Sequence, residues 1–469
     1  MITAYFSLDP SDNKRAMAQF YKAKKSPAKS PASIEINVEQ FNHDGQGIGY
    51  INNKICFVEG ALPGERVKAQ LIQDKAKMAK ARSTKILDPS PRRINPPCPH
   101  FNLCGGCQLQ YANSDYQLQL KQQAIASLFK RFANIDSLPW QDSLTGIGWQ
   151  YRRVARVGVW YDTKTKTFTV GFRQQNSKFL TPIKECPVLV DAFKNLFRAF
   201  TQILPTLKVG RDITHLEVIE ADNANVVVVR HTRAMPKADK QKLLKLGQEN
   251  QWFMISEAEK GQLEALDDQS LPELHYRLTQ YNSELSFAIG DFIQVNGDIN
   301  RQMIAQAHQW LDLSASDVLL DLFCGIGNFS VPLASVCDKV VGVEGVRAMV
   351  ERATDNALKN NLKNCEFFQA DLSEEQQNPQ QNKHKQQWLQ QPFTKVLLDP
   401  ARAGAQQIMK PVAGLKAQKI LYVSCEPLTL AQDSLVLLNS GYQLTKIALM
   451  DMFAQTRHVE VMALFEQKG

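Results

Sequence analysis

The sequence predicts an α/β fold with a parallel sheet in its last part, residues 286–469. Short apolar segments alternate there with helical patterns, and such alternation is typical of a parallel sheet. Gly325 and Gly327 follow the first of these segments, and a glycine turn between a strand and a helix is typical of nucleotide-binding units. The predicted strands cover residues 318–320, 339–343, 366–370, 395–398 and 419–423, and the clearest helical pattern covers 346–360.

Acidic residues at the ends of these strands predict a ligand site. Asp321 follows the first strand, and Glu344 follows the second strand, 23 residues later. A carboxylate about 20 residues after a glycine turn accepts hydrogen bonds from ribose hydroxyls. Asp371 and Asp399 follow the third and fourth strands, so all four residues fall at the sheet edge where ligands bind.

The glycine loop itself indicates which cofactor to expect. It lacks the third glycine of the dinucleotide fingerprint, and its D-x-F-x-G-x-G pattern resembles the S-adenosylmethionine loop of class I, Rossmann-like methyltransferases. The competing interpretation of this stretch alone is a tight turn in any doubly wound domain.

Length, charge and cysteine content set the broad class. A chain of 469 residues predicts about three domains. No window approaches the ~18 apolar residues that span a bilayer, and no signal-peptide pattern is present, so we expect a cytoplasmic protein. Nine cysteines in a chain of this kind indicate ligands and chemistry rather than disulfides.

The N-terminal region is basic. Residues 1–93 hold 16 Lys and Arg against 9 Asp and Glu, which accounts for +7 of the net charge of +8. Residues 1–33 have the composition of a disordered basic tail. Residues 34–92 alternate like strands, and their P-G-E-R-V turn at 63–67 resembles that of a TRAM domain, a small oligonucleotide-binding-like β-barrel of RNA-modifying enzymes. RNA binding is the favoured interpretation, and a barrel that only aids solubility is the alternative.

A cysteine cluster opens a β-rich central domain, predicted over residues 93–285. The cluster has the spacing C-x5-C-x2-C, and glycines between close cysteines are a metal-binding signature. Spacing alone leaves zinc and an iron–sulfur cluster open, and abundance favours zinc. His100 is expected to be a surface residue. The four predicted ligands are Cys98, Cys104, Cys107 and Cys186, the last chosen because a proline follows it.

The central domain also contains a predicted hairpin over residues 151–172. Its arginines alternate with aromatic residues, and this pattern suits contact with phosphates and unstacked bases. A sheet with ordinary exposed arginines is the alternative.

Two residues indicate the reaction. Cys425 follows the fifth strand, and Glu460 lies in a predicted last strand. Carbon-5 of a pyrimidine is a poor nucleophile until a thiolate adds to carbon-6, and a base must then remove the carbon-5 proton. A cysteine and a carboxylate at one sheet edge fit that chemistry. Cys324, in the glycine loop, is the competing nucleophile, and we expect it to face the cofactor.

Six motifs together resemble the RNA uracil-5 methyltransferases, in order along residues 34–469. They are D-F-I-Q-V-N at 291–296, the loop at 321–329, V-E-G at 343–345, L-D-P-A-R-A-G at 398–404, V-S-C at 423–425 and H-V-E at 458–460. With the TRAM-like module and the four cysteines, the resemblance is to the members that act on bacterial 23S ribosomal RNA.

The resemblance implies specific roles. Cys425 would be the nucleophile and Glu460 the base, S-adenosylmethionine the methyl donor and 23S ribosomal RNA the substrate of a monomeric enzyme that binds no DNA. The four cysteines would hold a [4Fe–4S] cluster, which reverses the preference for zinc. The implied cofactor-pocket residues are Gln294, Phe323, Asn328, Glu344, Asp371 and Asp399.

The chain differs from the family motifs at two positions, and three other functions stay open. Glu426 replaces the asparagine of the usual S-C-N-P motif, and we expect its charge to raise the pKa of Cys425. Asp371 stands where asparagine is common. The rivals are an RNA cytosine-5 methyltransferase, a tRNA uracil-5 methyltransferase and a non-catalytic iron–sulfur RNA-binding protein. A Gln- and Asn-rich stretch at 374–391 is expected to be a loose insertion.

Overall fold

The computed structural model describes residues 33–259, 261–267, 269–372 and 387–468. The predicted basic tail lies outside these residues except for Ser33, and so does most of the predicted insertion at 374–391. In the part of the chain that the structure describes, every helix is too short or too polar to cross a bilayer.

The N-terminal module is all β, as the alternating pattern predicts. Its six strands form one sheet in the order β1-β5-β6-β4-β3-β2, closed over a small core that includes Cys56, Val58 and Val67. Gly64 takes a φ of +83° in the predicted turn before β5, a conformation that favours glycine. The strands are β1 (Ser33–Asn37), β2 (Gln40–Phe41), β3 (Gly47–Ile51), β4 (Lys54–Glu59), β5 (Arg66–Asp74) and β6 (Met78–Asp88).

A long helix and a seven-stranded sheet follow. The sheet has the order β13-β12-β11-β10-β7-β8-β9, and two helices pack on one of its faces. The predicted hairpin is confirmed as β7 and β8, which pair antiparallel. The elements are α1 (Ser114–Ala133), β7 (Val154–Asp162), β8 (Thr167–Arg173), β9 (Leu180–Pro182), α2 (Leu196–Ile203), β10 (Ile213–Glu220), β11 (Asn225–His231), α3 (Lys237–Asn250), β12 (Phe253–Glu257) and β13 (Leu263–Ala265), with 3₁₀ turns at Asp191–Phe193, Leu204–Thr206 and Gly210–Asp212.

The last part of the chain forms the predicted α/β domain. Six strands run in one direction and β22 runs against them between β20 and β21, which gives the order β18-β17-β16-β19-β20-β22-β21. All five predicted strands are present, with ends shifted by at most two residues. The elements are β14 (Leu274–Leu278), β15 (Ser283–Phe287), α4 (Gly297–Leu311), β16 (Val318–Leu322), α5 (Ser330–Leu333), β17 (Lys339–Glu344), α6 (Arg347–Lys359), β18 (Cys365–Gln369), β19 (Lys395–Leu398), α7 (Gln406–Gly414), β20 (Lys419–Ser424), α8 (Pro427–Asn439), β21 (Tyr442–Met450) and β22 (Glu460–Gln467), with 3₁₀ turns at Thr279–Tyr281 and Gln387–Gln390.

Packing between these regions crosses the boundary predicted at residue 286. Helix α1 packs on α8, and its Ile125 and Phe129 are buried in the apolar layer on one face of the α/β sheet. Val226 and Val228 of β11 join the apolar layer on the other face. The domain boundaries stay a prediction, but the central region and the α/β domain share continuous cores, which fix the positions of residues around 150 beside the site.

Candidate active site

The glycine loop after β16 turns sharply at two positions. Phe323 takes a φ of +64°, and its N–H donates to the carbonyl of Val343 at 2.8 Å. Gly327 has a φ of +90°, and a Cβ there would lie 2.8 Å from a methyl of Val331. Glycine is therefore required at 327 by both conformation and space. The resulting turn leaves the backbone open to close approach by a ligand.

The carboxylate of Glu344 joins the end of β17 to this loop. It accepts hydrogen bonds from the N–H of Gly325 at 3.2 Å and from the N–H of Val346 at 3.0 Å. A carboxylate has about four lone-pair sites, so capacity remains for ribose hydroxyls. Asp371 is exposed just beyond β18, on the same sheet edge.

The amide of Asn328 is held by other side chains. Its oxygen accepts from the hydroxyl of Tyr276 at 2.8 Å, and it exchanges two hydrogen bonds with the amide of Asn300. Gln294 is buried, and its backbone carbonyl accepts from the guanidinium of Arg153 at 2.8 Å. Arg153 also lies over the ring of Tyr276 at 4.8 Å, so Gln294 is linked only indirectly to the network that holds the side chain of Asn328.

Two carboxyl groups lie close together at the ends of β16 and β19. Asp321 is fully buried; Ser330 donates to one of its oxygens at 2.5 Å, and the other oxygen has no partner among the described residues. Burial raises the pKa of Asp321 to about 7. Burial and the charge of Asp321 raise the pKa of Asp399 to about 7 as well. A positively charged ligand here would relieve this repulsion.

Cys425 and Glu460 meet at the same edge because β20 and β22 pair antiparallel. Ser424 is opposite Val461, so the next position places Cys425 opposite Glu460. Cys425 is half-buried and Glu460 is buried. This pairing brings together the two residues that the sequence predicts for catalysis.

The surroundings of this pair favour protonated forms. Burial, then Glu460 and Asp399, raise the pKa of the Cys425 thiol to about 12, while Arg402 acts in the opposite direction. Burial, then Asp399, also raise the pKa of Glu460 well above its usual range, again opposed by Arg402. A carboxylate with a raised pKa is a strong proton acceptor once ionised.

The structure separates Cys324 from this pair. Its Sγ lies 2.9 Å from where a Cβ at Gly342 would stand, so the thiol packs against β17. Burial, then Asp321 and Glu344, raise its pKa well above the usual value. The thiol fills the space left by the missing side chain at Gly342, and its orientation toward the cofactor stays a prediction.

Glu426 also differs from expectation. Its carboxylate accepts a hydrogen bond from the N–H of Leu428 at 3.4 Å and caps the N-terminus of α8. The main causes that raise the pKa of Cys425 are burial and the carboxyls of Glu460 and Asp399. The predicted charge effect of Glu426 is therefore replaced by a capping role.

The four predicted ligand cysteines line one cavity of about 410 Å³, here called the cysteine cavity. Arg152, Arg402 and His458 line it as well, so it borders the catalytic pair. Burial raises the pKa of Cys104 to about 11 and of Cys107 to about 12. Within the described ranges, no group of three or more His, Cys, Asp or Glu side chains is arranged to hold a metal ion.

Fold and site together define a class I methyltransferase. The model of the tRNA (uracil-5-)-methyltransferase family matches residues 113–468, and the TRAM domain model matches residues 32–84. The chain belongs to the RNA (uracil-5-)-methyltransferase family.

Full-length relatives are similar in sequence to nearly the whole of this chain. Proteins named 23S rRNA (uracil(1939)-C(5))-methyltransferase RlmD from Psychromonas ingrahamii and Shewanella halifaxensis are 43% and 42% identical, over 96% and 97% of this chain and 100% of theirs. A solved structure of the Pyrococcus abyssi tRNA (uracil-54, C5)-methyltransferase with S-adenosyl-L-homocysteine shares the fold, with a TM-score of 0.67 and 20% identity over 92% of this chain and 100% of that one.

Arg402 is the site residue that sequence reasoning passed over. It lies in the L-D-P-A-R-A-G motif, whose other charged member, Asp399, was selected. Arg402 is the cation that opposes the raised pKa values of both Cys425 and Glu460. The arginine is visible in the motif, but only the three-dimensional structure shows which pKa values its guanidinium lowers.

Replacing Arg402 with Gln should make Cys425 less reactive. Loss of the cation raises the thiol pKa further, so less thiolate exists at a given pH, and the deficit persists until the pH exceeds the new pKa. Alkylation of the Cys425 peptide by iodoacetamide at pH 8, followed by mass spectrometry, should slow severalfold. Arg347→Gln, on the exposed face of α6, is the matched control, and an equal rate in the Arg402 variant would contradict the assignment.

Proposed function

We propose that this chain transfers a methyl group from S-adenosylmethionine to carbon-5 of a uracil in 23S ribosomal RNA. The observation that carries the proposal is the pairing of β20 with β22, whose register sets Cys425 opposite Glu460 at the sheet edge that also carries the glycine loop. The family and the full-length relatives support this substrate and this position on the base.

The two residues would act in sequence. The Cys425 thiolate adds to carbon-6, and the electrons that this addition displaces make carbon-5 nucleophilic. Bound S-adenosylmethionine supplies the methyl group as an electrophilic sulfonium. Glu460 then takes the proton from carbon-5, and the electron pair of that bond expels the thiolate.

The buried acidic residues at this edge of the sheet suit both S-adenosylmethionine and the RNA base. Asp321 and Asp399 would ionise more readily beside a sulfonium, and their negative charge would hold the donor in return. Arg402 favours the anionic forms of the catalytic pair. Glu344, through its free lone pairs, would accept from the ribose hydroxyls, and Gln294, Phe323, Asn328 and Asp371 would complete the pocket.

A groove of about 870 Å³ supports RNA as the substrate. It runs between the N-terminal module, the loop of the cysteine cluster and β8. Lys85 and Arg173 line it and enter no ion pair among the described residues, whereas Arg82 and Arg457 pair there with Glu59 and Asp44. Unpaired cations in a groove attract a phosphate backbone. We call it the TRAM groove.

The cysteine cavity would hold a [4Fe–4S] cluster. Four half-buried thiols facing one cavity are a suitable donor set for either metal centre. A single tetrahedral zinc, at ~2.3 Å from each sulfur, would draw the thiols into one compact group. The cavity of about 410 Å³ that the four thiols line has room for the larger inorganic cluster, which the family resemblance favours.

Replacing Cys425 with Ala should abolish methyl transfer while S-adenosylmethionine binding remains, because the thiolate acts on the base. The assay uses labelled S-adenosylmethionine and an unmodified 23S ribosomal RNA transcript, with the labelled nucleoside identified by mass spectrometry. Cys365→Ala, a half-buried cysteine at the start of β18, is the control and should keep activity. Label in cytosine, or on an oxygen or amine, would overturn the proposal.

Protein purified without oxygen should contain about four iron and four sulfide per chain and show broad visible absorption. Cys186→Ser should lose the iron and lower the unfolding temperature, because the ligands join residues near 100 to one near 186. Cys56→Ser, in the N-terminal module, should keep the iron. Stoichiometric zinc without iron in cells grown with ample iron would contradict the assignment.

A further inference from the structure

One face of the central sheet is covered only in part. Helices α2 and α3 cover the opposite face. On this face, Ile219, Val226 and Val228 pack against the α/β domain. Beyond them the face is open, and Trp160 of β7 lies there with 60% of its surface exposed. A single exposed aromatic is common on protein surfaces, but an aromatic ring among cationic side chains can serve as a stacking platform for a nucleic-acid base.

The register places cationic residues around Trp160. Side chains two positions apart on a strand share a face, so Arg156 and Trp160 lie on the same side of β7. Trp160 is opposite Thr169 on β8, and Arg173 lies four positions further along on that face. His215 of β10 is opposite Gly158, which lies between Arg156 and Trp160 on β7. We call these four residues, Trp160, Arg156, Arg173 and His215, the Trp160 face.

The positive charge of this face is not neutralised. In the described ranges, Glu217 and Glu257 both pair with Arg230, at 2.9 and 2.7 Å, whereas the guanidinium groups of Arg156 and Arg173 are exposed and enter no ion pair. Burial, then Arg156, Arg230 and Arg173, lower the pKa of His215, so the local potential is positive. An anionic partner fits this face.

The Trp160 face shares residues with the cysteine cavity and with the TRAM groove. Arg156 also lines the cysteine cavity, together with Arg402. Arg173 also lines the TRAM groove. The Trp160 face therefore lies beside both the TRAM groove and the cysteine cavity.

We propose that the Trp160 face binds an unpaired segment of the RNA substrate, with a base stacked on the indole and the arginines on flanking phosphates. Stacking on an aromatic side chain accepts any base, and arginine contacts to phosphate add affinity that depends on salt. The inference rests on the proposed function, since it requires that the substrate be RNA.

The test compares variants of the full chain on an unmodified 23S ribosomal RNA transcript. Trp160→Ala should raise Kd by about tenfold, whereas Trp160→Phe, which keeps a stacking ring, should stay within about threefold. Arg156→Gln with Arg173→Gln should reduce the slope of log K against log salt by roughly one to two. Arg198→Gln, on α2 at the opposite face, is the matched control and should bind as the parent protein does.

The outcomes separate this inference from the function on which it rests. If the parent protein neither binds nor methylates the transcript, the proposed function fails. If the parent is active but the Trp160→Ala and double arginine variants show its Kd and salt slope, the inference alone fails. A change in sedimentation of Trp160→Ala without a change in RNA affinity would identify a protein interface instead and would also overturn it.

Discussion

The antiparallel pairing of β20 with β22 is the interaction on which the site depends. It inserts the last strand between β20 and β21, and it sets Glu460, at the start of β22, opposite Cys425, just after the end of β20. On a purely parallel edge, each strand would present its own carboxyl end only, and the base would have to come from a loop. The ladders fix the backbone of Glu460 against β21 and that of Ser424, the neighbour of Cys425, against β22, and a two-step reaction at adjacent carbons requires such precision.

Charge is the second constraint. Asp321, Asp399 and Glu460 crowd one buried edge, and each raises the pKa of a neighbour. Without ligands, this edge favours the protonated forms of its carboxyl groups, and the thiol of Cys425 stays protonated as well. A bound sulfonium would shift the balance toward ionised groups. Reactivity would therefore depend on the assembled complex, and the free enzyme would be protected from oxidation or alkylation at Cys425.

The strands and their terminal residues were predictable because apolar runs ending in acidic or small residues are local signals. Asp399 and Glu344 were found in this way, and the glycine loop by its spacing. The amide network of Asn328 with Asn300 and Tyr276 was not, because it joins residues up to 52 positions apart. The packing of α1 on α8 and the space at Gly342 that accepts Cys324 depend likewise on distant contacts. Sequence patterns identify the residues at the carboxyl ends of the strands, but they do not show which distant side chains pack against those residues.

The central claim is that Cys425 forms the bond to the base and that Glu460 acts only afterwards. Its most direct test is the Glu460→Gln variant incubated with S-adenosylmethionine and labelled RNA, then examined on a denaturing gel. Because addition and methyl transfer precede proton removal, a covalent protein–RNA adduct should accumulate, and mass spectrometry should locate it at Cys425. The adduct should persist with Cys324→Ser and disappear with Cys425→Ala. An adduct that survives Cys425→Ala but is lost with Cys324→Ser would contradict the account.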